Sequence, residues 1–432
     1  MVKRYRINRV SLLVAALAVT VGASTLAGCA PPAGTVIRAE IVRSDRPRLP
    51  APSPGQAPVP ELVEGNSTFA LDLYGVLFST DSNLFCSPYS ISAALAMTYA
   101  GAEGQTEQQM AEALHYALAQ TQLHAAFNAL DQALLSQADE DDVQAFRLHI
   151  ANTVWGQRGH SWLQAFLDTL AQNYGAGLRQ VDFSQAEEAR ELINEWVREQ
   201  TEGKIEELLP PGAVDGETAM VLTNAVYFKA AWKHGFAKEV TKDRLFTLLD
   251  GSQVTVPMMW QLGELGHAET LGVQVLELPY AGDKMSMVIL LPMKDSFESF
   301  VRSLDAQKLD GLLDGLELKG VALSMPRFQF TSELELRDAL MELGMVDAFG
   351  GDADFSGMDG TRELFIDQVY HDAFVAVDEA GTEAAAATAV VVPRKGPSLV
   401  HHVAIDRPFV FLIRDIETST ILFLGHVVNP AA

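Results

Sequence analysis

The sequence predicts one α+β domain behind a processed N-terminus. Helical patterning fills the first part of the chain and strand patterning the second. No second linker divides them, and no internal repeat is visible. With 48% hydrophobic and 20% charged residues over 432 positions, the chain can bury a large core.

The elements follow in order. Lys3, Arg4, Arg6 and Arg9 form a basic start, and Ser11 to Leu26 is apolar and too short to span a bilayer comfortably. This stretch ends in Leu26-Ala27-Gly28-Cys29, which resembles the bacterial lipobox. Residues 1–28 are therefore expected to be a lipoprotein signal peptide, with Cys29 acylated and the domain exported and tethered to a membrane. Residues 29–60, with Pro31-Pro32 and Pro50-Ala-Pro-Ser-Pro54, predict an extended spacer, and the domain itself is expected over residues 61–432.

Glu61 to Ser79 reads as a helix, with Phe69, Leu73, Val76 and Leu77 at helical spacing. Ser87-Pro88 starts a second helix, Tyr89 to Tyr99, apolar nearly all round and so expected inside. Shorter helices run to residue 137, and Phe146 to Gly156 reads as a strand. Trp162 to Tyr174 and Ala186 to Thr201 read as helices, and residues 219–229 as a long apolar strand. Further strands are expected at Val273–Leu278, Met285–Leu291, Gly320–Gln329, Leu364–Val377, Ala404–Ile413 and Thr420–Val428, interrupted by one helix, Glu333–Leu343.

Charge and cysteine usage narrow the function. The chain is formally −25, and −29 once residues 1–28 are removed (27 basic against 56 acidic residues). Such a domain is a poor partner for nucleic acid. The Asp139–Asp142 run reads as a solvated loop. With Cys29 lipidated, Cys86 is the one remaining thiol, so no internal disulfide can form. Its apolar neighbours predict a buried, inert group. His401-His402 has no cysteine or carboxylate cluster nearby, and neither a metal nor a cofactor is expected. No G-x-S-x-G or H-E-x-x-H motif suggests a hydrolase.

Glu379 to Lys395 is the unusual stretch. Ala384, Ala385, Ala386 and Ala387 follow Gly381-Thr382-Glu383 and precede a valine run. Alone, it reads as an Ala-rich surface loop or short helix. As a strand, Thr382, Ala384, Ala386, Thr388, Val390 and Val392 share one small or apolar face, and Glu383 lies on the other. Pro393, two basic residues and Gly396-Pro397 then read as an exposed turn.

From about residue 61 to its end the chain resembles the serpin family. The resemblance rests on Asn83 to Met97, Gly101 to Thr106, Thr223 to Trp232, Met325 to Phe328, Glu379 to Thr388, Asp406 to Arg414 and Phe423 to Pro430, in that order and spacing. It implies helices packed on a large mixed main sheet, further sheets, and an exposed mobile reactive loop. It also implies a protease inhibitor rather than an enzyme. In that mechanism a protease attacks the loop and forms an acyl-enzyme. The freed arm of the loop then inserts into the main sheet and drags the protease with it. Inserted backbone gains ladder bonds worth on the order of 1 kcal/mol each. Buried apolar surface adds about 25 cal/mol per Å². Small inward residues let insertion outrun deacylation.

The resemblance also assigns parts. The hinge is Glu379, Gly381, Thr382 and Ala384 to Ala387. Counting fourteen residues from Gly381 places the bait at Lys395, with Gly396 on the leaving side and Arg394 as the alternative. A basic bait suits trypsin-like serine proteases. Ser87, Ser90, Asn224 and His371 match the shutter beneath the strands that part. Trp232, Arg327 and Glu379 match the breach, where an ion pair between Arg327 and Glu379 is expected. Residues 121–142 carry no lysine or arginine, so heparin is not an expected partner, and the protein is expected to be a monomer. A cross-class inhibitor of papain-like cysteine proteases, or a non-inhibitory carrier or chaperone, would share the fold.

Overall fold

The computed structural model describes residues 39–52, 55–137, 147–270, 272–382 and 400–432. Met1–Arg38 is a separate unit outside the described residues, so the expected signal peptide over residues 1–28 and the expected lipidation site Cys29 fall there. Ala39–Ala432 forms one unit built on two sheets.

Ten α-helices lie among the described residues: α1 (Val59–Leu77), α2 (Pro88–Tyr99), α3 (Gly104–Ala113), α4 (Gln120–Gln137), α5 (Gln164–Thr169), α6 (Ala186–Gln200), α7 (Phe297–Arg302), α8 (Ala306–Leu313), α9 (Arg337–Glu342) and α10 (Ser356–Asp359). A π-helical turn, Leu170–Tyr174, continues α5. The early strands are β1 (Glu40–Val42), β2 (Leu84–Cys86), β3 (Arg147–Gln157), β4 (Leu178–Val181), β5 (Met220–Ala231), β6 (Lys242–Thr247), β7 (Gln253–Thr270) and β8 (Val273–Pro279). The later ones are β9 (Met285–Pro292), β10 (Glu317–Pro326), β11 (Phe328–Glu335), β12 (Gln368–Val377), β13 (Gly381–Thr382), β14 (Val400–Ala404), β15 (Phe409–Asp415) and β16 (Ile421–Val427).

The main sheet has the order β1-β4-β3-β5-β13-β12-β11. It is mixed, because β3 with β4 and β5 with β12 run parallel. The other sheet runs β14-β10-β7-β8-β9-β15-β16-β2, with β6 on β7. Between the sheets lies the core, where Phe85 stacks on Phe423 at 4.9 Å and on Phe411 at 5.6 Å. Helix α2 is buried on nearly every side, as its composition predicts, and the Ser90 N–H donates to the Ser87 hydroxyl at its start. Helix α6 is amphipathic, and its Ala189, Ile193 and Val197 pack with Trp155 and Val221. Cys86 is buried, and burial pushes its thiol up to about 12.

Several boundaries differ from the sequence expectations. The predicted strand Gly320–Gln329 is two strands in different sheets. They part at Arg327, whose N–H donates to Pro257 O at 2.9 Å. The helix expected from Glu333 starts at Arg337, because Glu333–Glu335 still pair with β12. The strand expected from Leu364 starts at Gln368. Ala404–Ile413 divides around Asp406-Arg407-Pro408, where proline offers no N–H to a ladder. Strands β6 and β7 and helices α7 and α8 were not anticipated.

The largest correction concerns the spacer. Residues 39–52 are part of the domain. Strand β1 pairs antiparallel with β4 at the sheet edge, with Glu40 opposite Gln180. Beyond it, Arg46 Nε donates to Asp168 at 2.7 Å, and Arg48 binds Asp131 at 2.6 Å and Asn128 at 2.9 Å. Leu49 N donates to Gln172 O at 2.8 Å, and its own carbonyl accepts from Asn128 at 3.2 Å. The segment therefore straps α4 to the α5 region. Two hydrogen-bonding arginines, Arg46 and Arg48, and Glu40-Ile41-Val42 outweigh its proline content.

Candidate functional site

The site is the seam between β5 and β12. In its lower part the two strands pair directly and in parallel, from Gln368 opposite Val221 to Phe374 opposite Tyr227. Above Phe374 they diverge, and β13 enters between them. Thr382 sits opposite both Val377 of β12 and Ala230 of β5, and Gly381 opposite Ala231. The hinge thus occupies the top of the gap while the seam below is closed.

The turn feeding the hinge is held from several sides. The Asp378 carboxylate accepts from the Ala380 N–H at 2.7 Å, and the Asp378 N–H donates to Gly381 O at 2.9 Å. Trp232 Nε1 donates to Asp378 O at 3.0 Å, and its backbone N–H donates to Ala380 O at 2.9 Å. The Trp232 ring stacks on Tyr280 at 4.7 Å, and the Tyr280 hydroxyl pairs with Thr382 Oγ1 at 2.7 Å. Thr382 faces the interior, as its parity predicts. At Gly381 only glycine fits, because an added Cβ would lie 2.0 Å from Ala230 O.

Arg327 and Glu379 form an ion pair, with the Glu379 carboxylate buried and Arg327 partly exposed. Thr241 donates to the same carboxylate oxygen. Burial pushes the Glu379 carboxyl up, but the hydrogen bonds from Arg327 and Thr241 prevail and hold it below its ordinary value. The expected breach residues Trp232, Arg327 and Glu379 are therefore in one place. Thr241, Tyr280 and Asp378 belong with them and carried no sequence signal beyond their polarity.

Ser87, Ser90, Asn224 and His371 also come together, under the closed part of the seam. The Ser87 N–H donates to His371 Nε2 at 3.1 Å, so this nitrogen is an acceptor and the proton lies on Nδ1. Nδ1 donates in turn to Asn224 Oδ1. Asn224 Nδ2 donates to Ser90 Oγ at 2.7 Å and to Asn152 Oδ1. Ser90 Oγ donates to Asn152 at 2.9 Å, and Asn152 Nδ2 returns to Ser90 O at 3.0 Å. Ser87 Oγ donates to Leu422 O at 2.7 Å. Burial lowers His371 to about 3, so the neutral tautomer that this network requires is the one present. Asn152 completes the set. As an amide within an apolar strand it could have been found from the pattern of β3.

This polar cluster ties β3, β5 and β12 to α2. It can hold the closed seam, because its His371–Asn224 bond joins β12 directly to β5. On the opposite face of β12, Asp372 is buried. Burial, then the Glu333 charge opposite it, push its carboxyl up to about 8. The remaining hinge residues Ala384, Ala385, Ala386 and Ala387, the bait residues Arg394 and Lys395, and Gly396 lie outside the described residues. Among the described residues no group of three or more histidine, cysteine or acidic side chains is placed to hold a metal.

The seam between β5 and β12 is thus parted at its top by β13 and closed below, over a buried polar cluster. The family described as serpin (serine protease inhibitor) matches residues 64–430. The leukocyte elastase inhibitor of Sus scrofa is 43% identical, over 86% of this chain and all of that protein. An uncharacterized serpin-like protein of Thermococcus kodakarensis is 39% identical, over 85% of this chain and 86% of its own length. The crystal structure of tengpin, a thermophilic serpin in the native state, superposes with a TM-score of 0.82 at 29% identity, covering 91% of this chain and all of that one. Uncleaved ovalbumin gives 0.76 at 29% identity, covering 86% of this chain and all of its own. The chain belongs to the serpin family, and it is a protease inhibitor, not an enzyme.

Proposed function

We propose that this protein is a suicide-substrate inhibitor of trypsin-like serine endopeptidases. In this reading the protease cuts after Lys395 and is trapped as the acyl-enzyme when the loop inserts between β5 and β12. The carrying observation is the hinge, already seated at the top of a seam that is closed below. Insertion replaces one β5–β12 ladder with two new ones, which supplies the net gain in backbone bonding. The inward residues after Thr382 are small or apolar, so little opposes their entry. A basic bait matches an anionic primary pocket in the target. Relatives named leukocyte elastase inhibitors motivate elastase as the comparison enzyme.

The test mixes residues 39–432 with trypsin and, separately, with elastase. A denaturing gel and mass spectrometry then read the products. The expected result is a stable complex with trypsin and a released fragment starting at Gly396. A fragment starting at Lys395 moves the bait to Arg394. Cleavage without a complex, and without a rise in thermal stability of the cleaved protein, overturns the inhibitory reading.

The N-terminal pattern supports a second part of the proposal. The protein is exported, loses residues 1–28, is lipidated on Cys29, and works as a membrane-tethered monomer. Cys29→Ser is expected to move it from the membrane to the soluble fraction of bacterial cells. An unchanged membrane fraction sinks this part.

A further inference from the structure

We propose that Lys229 and Lys204 form a cationic receiver for the Glu383 side chain, and that their pairing with it favours entry of the loop between β5 and β12. This rests on the inhibitory reading above. An open concavity covers the fork where β5 and β12 diverge, and Lys204, Lys229, Arg327, Phe374, Ala376 and Asp378 are among its lining residues. Three cations thus gather at one place in a chain of formal charge −25. Ala230 packs into the core, so Lys229 beside it points to the opposite face of the sheet. Lys204 Nζ lies over the last directly paired residues of the seam, 5.9 Å from the Tyr227 ring and 5.5 Å from the Phe374 ring. Lys204 therefore marks the fork, and Lys229 stands two residues above it on β5.

The other charged groups of the concavity are already engaged. Arg327 serves Glu379. The Asp378 carboxylate accepts from the N–H groups of Ala380 and Gly381.

The register of β13 selects the occupant. Gly381 lies opposite Ala231, and Thr382 opposite both Ala230 and Val377. One residue further along both antiparallel ladders, an inserting Glu383 falls opposite Lys229 of β5 and Ala376 of β12. Thr382 faces the interior, so the next residue of an extended strand faces outward, on the side that carries Lys229. Directly opposite residues have Cβ atoms about 4.5–5.5 Å apart, within reach of an ion pair. Glu383 lies outside the described residues, and it is the only acidic residue from Ala380 to Ile405. No other side chain of the entering segment can answer these cations. It is also the first residue to enter below the seated hinge, so the pairing acts while insertion still competes with deacylation.

The experiment exchanges the charges. Wild type, Lys229→Glu, Glu383→Lys and the double variant are compared for the ratio of cleaved to trapped inhibitor with trypsin and with elastase, and for melting temperature before and after cleavage in the loop. Each single variant puts like charges directly opposite each other. It is expected to raise the ratio about tenfold and to shrink the rise in melting temperature on cleavage. The double variant should return the ratio to within about twofold of wild type. Glu383→Gln should raise it about threefold and make it insensitive to salt. Single variants within about twofold of wild type, or a double variant that repairs neither reading, overturn the receiver while leaving the inhibitor intact. Should Lys229→Glu melt lower before cleavage, the Glu383→Gln response decides, and a ratio as salt-dependent as that of wild type overturns the proposal. If wild type traps neither enzyme and melts no higher after cleavage, the inhibitory reading fails and the receiver fails with it.

Discussion

Glu379 is one carboxylate serving two neighbours, Arg327 beside β11 and Thr241 before β6, at the point where the hinge turns into the sheet. Replacing it with lysine puts two cations against each other in a mostly buried place. Removing one partner of a buried pair typically costs about 3–5 kcal/mol, less here because Arg327 is 40% exposed. The hinge should leave the gap, opening the top of the seam to another chain's loop. Glu379→Lys is expected to form polymers on mild heating, read by native gel and light scattering, whereas Glu379→Gln stays monomeric. A Glu379→Lys monomer with unchanged inhibition counts against the role of this pair. The pair was legible in the sequence because the resemblance aligned both residues, and so were Ser87, Ser90, Asn224 and His371. Asn152, Thr241 and Tyr280 were not singled out. Each acts through a contact made by distant segments, which no local pattern reports.

The elements were legible where a single pattern persisted. Helix α2 and strand β5 are apolar over most of their length and stood out, as did the amphipathic α6. Strand β7 did not, although it is among the longest strands, because Gly263, Gly266 and the adjacent buried pair Met258 and Met259 interrupt its alternation. Helices α7 and α8 have 6 and 8 residues, too few turns for a clear period. The strap over residues 39–52 was hidden for another reason. Its composition is that of a linker, and its attachment depends on Asp131, Asn128 and Asp168, which folding alone brings near. An extended segment without a hydrophobic pattern can be read as bound only when its partners are known.

The whole molecule carries an opposed set of buried titrating groups, and their balance fixes its pH dependence. Burial lowers His371 to about 3 and His124 and His426 to about 4, and it also lowers His267, aided by His401. Between those values and the unfolded value of about 6.5, the folded chain holds fewer protons than the unfolded one. Stability therefore rises with pH across that window, by about 1.4 kcal/mol per unit for each fully neutral group. Asp372 acts the other way. Raised to about 8, it keeps a proton in the folded state that the unfolded chain loses near 3.9, so stability falls as pH rises toward 8. Asp310 and Asp367, raised mainly by burial, add to that side at the acidic end. Below about 6.5 the histidines outnumber Asp372, and above it Asp372 acts almost alone. Melting temperature at a fixed scan rate should climb from pH 4.5 to a maximum near 6.5 and decline gently toward 8. Asp372→Asn should flatten the alkaline limb and leave the acid limb in place. A melting temperature that keeps rising through pH 8, or an alkaline decline that survives Asp372→Asn, would show that this carboxyl is ionised in the folded sheet.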